Sequence, residues 1–252
     1  MSASRILPSA APFRKPTRPS TRPSRSASPI PVRTEFQAYF NAMFRAHGPQ
    51  FWWPGRSRFE IIVGAILTQY TAWSNVERAI ANLRRERLLS PTAIEHIAEP
   101  RLAELIRSSG CFRQKARKLK AFVQYLRRSH QGSLHRMFAE PAAQLREQLL
   151  AIHGIGPETA DSILLYAGKK PLFVVDAYTR RILERHALAA GNEPYEQIRR
   201  DFEANLPADP KLFNEYHALI VHTGKHFCRK REPNCAACPL QPFLPASAEA
   251  QP

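Results

Sequence analysis

The sequence predicts an all-α protein, and three observations carry that prediction. From Glu35 onward apolar residues recur at three- and four-residue spacing, the period of one helix face. No stretch sustains the two-residue alternation of a half-buried strand. The turn Gly154-Ile155-Gly156 joins two apolar helical runs, with Pro157 at the first-turn position where its missing N–H costs nothing. At 252 residues and 44% hydrophobic, the chain can bury one good core or two smaller ones.

The elements follow in order. Residues 1–34 are rich in Pro, Ser and Arg and show neither period, so they cannot bury enough surface to offset ordering entropy and are predicted to be a disordered basic arm. A tethering role, a targeting peptide and a misassigned start all fit this composition, although its prolines oppose an amphipathic targeting helix. Helical spacing predicts helices over Phe36 to His47, Arg58 to Gln69, Trp73 to Glu86, Arg101 to Ser108, Lys115 to Arg128 and Ala142 to Ile152. The second carries the dense run Phe59-Glu60-Ile61-Ile62-Val63-Gly64-Ala65-Ile66-Leu67. Beyond the glycine turn Pro157 opens a helix over Glu158 to Gly168, and Asp176, a favoured N-cap residue, opens one over Ala177 to His186. Helices over Tyr195 to Leu206 and Leu212 to Phe227 complete the set. Phe173-Val174-Val175 could pass for a short strand but has no evident partner, and it is read as the approach to a helix. Residues 246–252 are predicted to be a disordered tail.

Lysine and arginine number 37 against 21 acids, a formal net charge of +16. Arg5, Arg14, Lys15, Arg18, Arg22, Arg25 and Arg33 precede the first acid, Glu35, so +16 less these seven leaves +9 for the remainder. Such an excess favours a polyanionic partner through phosphate contacts and counterion release. Neither a secretory apolar core nor a membrane-length apolar run occurs, so a soluble intracellular protein with no membrane partner is expected; it is also expected to be a monomer. In a bacterium it would be cytoplasmic and nucleoid-associated; elsewhere a nuclear or organellar place stays open.

Leu149 to Ala160, Leu-Leu-Ala-Ile-His-Gly-Ile-Gly-Pro-Glu-Thr-Ala, is the richest segment. It reads as a helix-hairpin-helix: glycines let the backbone approach a ligand, and the unpaired N–H groups of the second helix start form a site for one phosphate. About twenty residues later Val174-Val175-Asp176 delivers a carboxylate. With Thr68-Gln69 after the Phe59 to Leu67 run, and Lys115-Ala116 within Gly110 to Leu119, these segments resemble the endonuclease III superfamily of DNA glycosylases over roughly residues 36 to 240.

The resemblance implies a two-domain fold with double-stranded DNA containing damaged bases in the cleft between. Residues 51–170 would form a helical domain carrying the hairpin; 35–50 and 171–245 would form a discontinuous second domain with a cysteine loop. Gly154, Ile155, Gly156, Thr159 and Lys115 would hold DNA phosphate, and Asp176 would perform the chemistry. Breaking an N-glycosidic bond develops oxocarbenium character, which a fixed anion stabilises while orienting water. Glu158 stands where bifunctional members carry a lysine, and a carboxylate cannot form the Schiff base that leads to strand cleavage. The expectation is a monofunctional hydrolase; a bifunctional lyase, a pyrimidine or mismatch glycosylase and a non-catalytic DNA-binding protein remain alternatives. Gln69 matches the wedge that fills the stack after base flipping. Trp52, Trp53 and Trp73, with Pro54, cluster near it, and indole faces attract cations such as an alkylated purine. Trp52-Trp53-Pro54, Phe59-Glu60 and Leu67-Thr68-Gln69 resemble the 3-methyladenine glycosylase branch, whose pocket lysine follows a glycine, here Gly224-Lys225.

Cys228, Cys235 and Cys238 stand as C-x6-C-x2-C before Pro239, similar to the iron–sulfur loop of endonuclease III relatives, but Leu244 occupies the fourth cysteine position. A labile [4Fe-4S] cluster with a foreign fourth ligand, a zinc site completed by a histidine such as His226, and a relic loop are the three readings. Cys111 reads as a buried apolar residue.

Overall fold

The computed structural model describes residues 34–245, in which twelve α-helices and their loops appear and no strand. The predicted arm, apart from Thr34, and the predicted tail lie outside the described residues. Phe173-Val174-Val175 is extended and unpaired, as its lack of a partner predicts.

Helix α1 (Thr34–His47) has Glu35 in its first turn and Arg45 and His47 in its last, as the helix dipole favours. It stops at Gly48, whose positive φ suits a helix end. Ser57 caps α2 (Arg58–Leu67) by accepting the Glu60 N–H at 3.1 Å. Every residue from Phe59 to Leu67 is buried, so this helix, apolar nearly all round, forms the middle of the fold. Its one acid, Glu60, pairs at 2.7 Å with Arg84 of α3 (Trp73–Arg85).

Two short helices escape the periodicity reading, α4 (Pro91–His96) and α7 (Leu134–Ala139). Both begin on serine caps, Ser90 before Pro91 and Ser133, but six residues hold too few repeats to reveal a period. Between them lie α5 (Glu99–Leu105), a 3-10 turn at Arg107–Ser109 and the long α6 (Phe112–His130). Helix α8 (Ala142–Leu150) and α9 (Pro157–Ser162) flank the glycine turn. The helix expected to run to Gly168 instead widens into a π-turn at Ile163–Ala167. Then come α10 (Ala177–Arg185), α11 (Tyr195–Asn205) and α12 (Pro210–His226).

Helices α3, α6 and α9 pack on α2, while α1 and α10 pack on α12. Tyr216 of α12 donates its hydroxyl to Phe36 O at 2.8 Å, and Phe173 stacks on Phe202 at 3.8 Å beneath Phe213. The π-turn touches both α2 and α12, so the two groups of helices meet there and share one connected apolar core. No helix among the described residues is long and apolar enough to cross a membrane.

Candidate active site

The hairpin is built as its glycines require. Gly154 has φ +81°, a left-handed conformation that a Cβ disfavours, and a Cβ there would lie 2.5 Å from Lys118 Cε. Ile155 turns into the core, Gly156 caps α9 with open space around it, and Pro157 takes the first helical position. The first N–H groups of a helix have no acceptor within it, which leaves those of Glu158 and Thr159 to an outside ligand. Behind the turn Arg146 of α8 donates to both oxygens of Asp161 on α9, at 2.6 and 3.0 Å, so an ion pair fixes the angle between the two helices.

Gln69, just beyond α2, is fastened to this turn. Its Nε2 donates to Gly154 O at 3.1 Å and Thr159 Oγ1 at 2.8 Å, and its Oε1 accepts from Lys118 Nζ. Lys115 corrects the phosphate-contact expectation. Only 2% exposed, it donates from Nζ to Leu67 O at 2.9 Å and Ser109 O at 2.6 Å. Burial pushes its ammonium down to about 8. It shares the inward stripe of α6 with Leu119 and Phe122, so it secures the end of α2 and cannot reach DNA. Lys118, on the same helix, is the lysine beside the hairpin.

Asp176 caps α10. Its Oδ1 accepts from the Thr179 N–H at 2.8 Å and the Thr179 hydroxyl at 3.0 Å, in a reciprocal capping box. The other oxygen, Oδ2, faces His217 Nε2 of α12 at 3.6 Å, beyond a hydrogen bond but within ion-pair range. Burial works to raise this carboxyl, yet the facing imidazole and the Thr179 donors outweigh it and hold it below its ordinary value. Tyr166, in the π-turn, sets its hydroxyl 2.6 Å from His217 Nδ1 and lays its ring against Trp53 at 4.8 Å. A continuous line of contacts therefore runs Trp53, Tyr166, His217, Asp176. Nothing in the sequence singles out His217 or Tyr166, because each sits in an apolar helical run where it reads as core.

Glu158 opens α9 on the same side. Solvent reaches it, but desolvation by the protein around it and then the Asp176 charge push its carboxyl up, against the pulls of His217 and Arg180. The two carboxylates thus share one site.

Trp52, Trp53 and Trp73 do come together: Trp53 meets Trp52 at 5.7 Å and Trp73 at 4.9 Å, both edge-on. Gly64 of α2 permits this, since a Cβ there would crowd Trp53 and Trp73 at 3.2 to 3.4 Å. Lys225 reaches the cluster, its Nζ 5.8 Å from the Trp52 ring. Gly224 lets α12 lie against Tyr178 of α10, where a Cβ would be 2.4 Å from the ring. Pro54 is exposed beside the cluster. Trp52 Nε1 is buried and lies close enough to the Tyr166 hydroxyl to act on it as a donor.

Residues 63–208, more than half of the chain, match the family model for HhH-GPD superfamily base excision DNA repair proteins. The chain belongs to the HhH-GPD superfamily. A Methanocaldococcus jannaschii relative, named provisionally as DNA repair glycosylase MJ1434, is 46% identical over 199 residues, 78% of this chain and 90% of its own. Endonuclease III of Sulfolobus acidocaldarius is 28% identical over 189 residues, 75% of this chain and 82% of its own. The H. pylori 3-methyladenine DNA glycosylase, solved with 1,N6-ethenoadenine, is similar at a TM-score of 0.67 and 28% identity, covering 77% of this chain and 98% of that one. An endonuclease III–DNA complex shares the fold at a TM-score of 0.74 and 19% identity, covering 87% and 98%. This HhH-GPD chain is thus a DNA glycosylase by family, with the all-helical fold that its sequence resemblance implies.

The HhH-GPD cysteine loop departs from a four-cysteine cluster site. Among the described residues no three His, Cys, Asp or Glu side chains lie close enough to hold a metal ion, and Leu244 cannot ligate. Arg185 donates to Cys228 Sγ at 3.2 Å and to Arg229 O at 2.7 Å, while Arg181 donates to Cys228 O at 2.7 Å. The loop is therefore held by arginines of α10, and burial, with Cys228 and Cys235 nearby, pushes the Cys238 thiol up. An open cavity of about 850 Å³ lies against them, lined in part by Arg180, Arg181 and all three of Cys228, Cys235 and Cys238, and it excludes Asp176 and the tryptophans. Cys111 is exposed, which corrects its reading as a buried apolar residue; a left-handed φ at the start of α6 turns it outward.

Proposed function

We propose that this chain is a monofunctional glycosylase that hydrolyses the N-glycosidic bond of an alkylated purine, 3-methyladenine as the type, flipped out of double-stranded DNA. The observation that carries the proposal is the line of contacts from the tryptophans to Asp176. It joins indole faces able to stack on an extruded base to an ionised carboxylate whose Oδ2 has only His217, at 3.6 Å, before it. The hairpin N–H groups bind a phosphate and fix the strand. The base leaves with the electron pair of the C1′–N bond, Asp176 Oδ2 stabilises the sugar cation, and water adds to C1′ and gives its proton to that carboxylate, which returns it to solvent. Lys225 already takes one face of Trp52, and Trp53 and Trp73 stand nearly perpendicular, so one of these two indoles stacks on the base while the other meets its edge. The purine reading is further supported by the 28% identical relative solved with 1,N6-ethenoadenine. Glu158 supports hydrolysis over lyase chemistry, since it supplies no amine to attack the sugar.

The test is release of 3-methyladenine and 1,N6-ethenoadenine from duplex DNA by the native protein and Asp176→Asn, with abasic sites revealed by alkali and borohydride added in parallel. Release by the native protein alone, without a trapped adduct, is expected. Activity confined to uracil or mispaired thymine would sink the purine assignment, and a trapped adduct would sink the monofunctional one.

A further inference from the structure

Of the three large hydrophobic side chains exposed among the described residues, Tyr70 is the most exposed, at 104%. It follows Gln69 directly, and it holds a left-handed backbone, φ +54°, that a side chain with a Cβ adopts only at a cost. No ring contact or hydrogen bond within the fold rewards that strain. The neighbouring Gln69 is in the opposite condition: both ends of its amide are bonded, to Gly154 O, Thr159 Oγ1 and Lys118 Nζ. To enter a vacated base stack, Gln69 must first give up three hydrogen bonds, one of them to a charge. Tyr70 gives up none.

We propose that Tyr70 is the side chain that fills the gap left by the extruded base, with Gln69 acting as the bracket that ties the end of α2 to the hairpin and so aims the ring. The inference rests on the DNA-repair reading above. Three features fit it. The phosphate-binding turn and the ring are joined through Gln69, so gripping the backbone at Gly154 to Thr159 fixes where Tyr70 meets the duplex. Lys115 holds the last turn of α2 from inside, through Leu67 O, which keeps the platform under Tyr70 rigid. Every base offers a π face, so an aromatic filler is indifferent to which base is left orphaned, whereas a glutamine amide discriminates among them. A tyrosine filler therefore suits an enzyme that selects its lesion in the pocket and ignores the opposite base.

The test uses the full-length protein and two duplexes, one intact and one carrying a tetrahydrofuran abasic-site analogue opposite 2-aminopurine. Affinity and 2-aminopurine fluorescence are measured for the native protein, Tyr70→Ala, Tyr70→Phe and Tyr70→Gly. Stacking of one aromatic on a base predicts that Tyr70→Ala loses roughly tenfold of the preference for the abasic duplex over the intact one, and alters the fluorescence change on binding. Tyr70→Phe keeps both. Tyr70→Gly relieves the left-handed strain, so its melting temperature stays level or rises while its preference for the gap falls with that of Tyr70→Ala. A purely structural tyrosine predicts the reverse for the glycine variant. Native preference retained within twofold by Tyr70→Ala overturns the assignment and leaves the repair reading intact. A native protein that does not prefer the abasic duplex removes both.

Discussion

Arg146→Met tests whether the hairpin is held from behind by its ion pair. Asp161 has no exposed side-chain surface, Arg146 is 13% exposed, and both carboxylate oxygens accept from the guanidinium. Burial pushes the Asp161 carboxyl up against the pull of those two donors, while the same bonds hold the Arg146 proton more tightly than usual. Arg146 also donates to Glu196 at 2.5 Å, and removing it strands the Asp161 charge in the core, a loss of about 3–5 kcal/mol. Arg199, 4.0 Å from Asp161, softens the loss toward the low end, roughly 3 kcal/mol. For a fold of this size that lowers the melting temperature by about 6–12 °C. The assay is thermal unfolding followed by circular dichroism at neutral pH, with the double variant Arg146→Met/Asp161→Leu beside it. Apolar residues of similar volume replace a buried pair at little cost, and Arg199 still pairs with Glu196, so the double variant recovers most of the loss. A single variant melting within about 3 °C of the native protein, or a double variant no better than the single, refutes the reasoning.

Three further outcomes are expected. Asp176→Asn abolishes base release yet lowers the melting temperature only slightly, because asparagine caps a helix about as well as aspartate; a large loss of stability would make the cap its main role. His217→Gln moves the acidic limb of base release up by about one pH unit, since an opposite charge near 4 Å contributes about 1–4 kcal/mol between water-like and protein-like surroundings, and one unit is about 1.4 kcal/mol. The sign follows from Asp176: its carboxyl is held low in the folded state, so its contribution is full above its unfolded pKa and is lost as pH falls through the folded one; an unmoved limb rejects the pairing. Protein prepared without iron melts within about 2 °C of protein prepared with it, because Arg181 and Arg185 already hold the cysteine loop; a larger difference, with iron and sulfide in the assay, restores the cluster.

The helices were legible wherever an apolar stripe ran for three turns or more, as in α3, α6 and α12. Helices α4 and α7 were not, because six residues cannot display a period, although Ser90-Pro91 and Ser133 mark their starts. The hairpin, Asp176 and the tryptophans were legible because turn chemistry and short motifs are local. Lys115 misled for a physical reason: a charged residue on a basic helix is usually solvated, and only the register with Leu119 and Phe122 betrays that it points inward. His217 and Tyr166 lie 51 residues apart, and no local pattern announces a contact that only the packing of α12 on the π-turn creates.

That packing also explains why the π-turn stands where it does. A π-turn takes in one more residue than a regular helical turn, so it rotates the side chains that follow relative to those before it. Thr159 and Asp161 before the turn face Gln69 and Arg146, the partners that α9 needs as the second helix of the hairpin. Tyr166 within it must instead face His217 while keeping its ring on Trp53. A regular α-helix would carry one register through both halves; the wide turn lets the same segment meet the hairpin's demands first and the active site's afterwards. Deleting one residue from Ile163–Ala167 is therefore expected to leave the hairpin turn and its proposed phosphate contact while uncoupling Tyr166 from His217, so that DNA affinity survives and the acidic limb of base release moves as it does in His217→Gln.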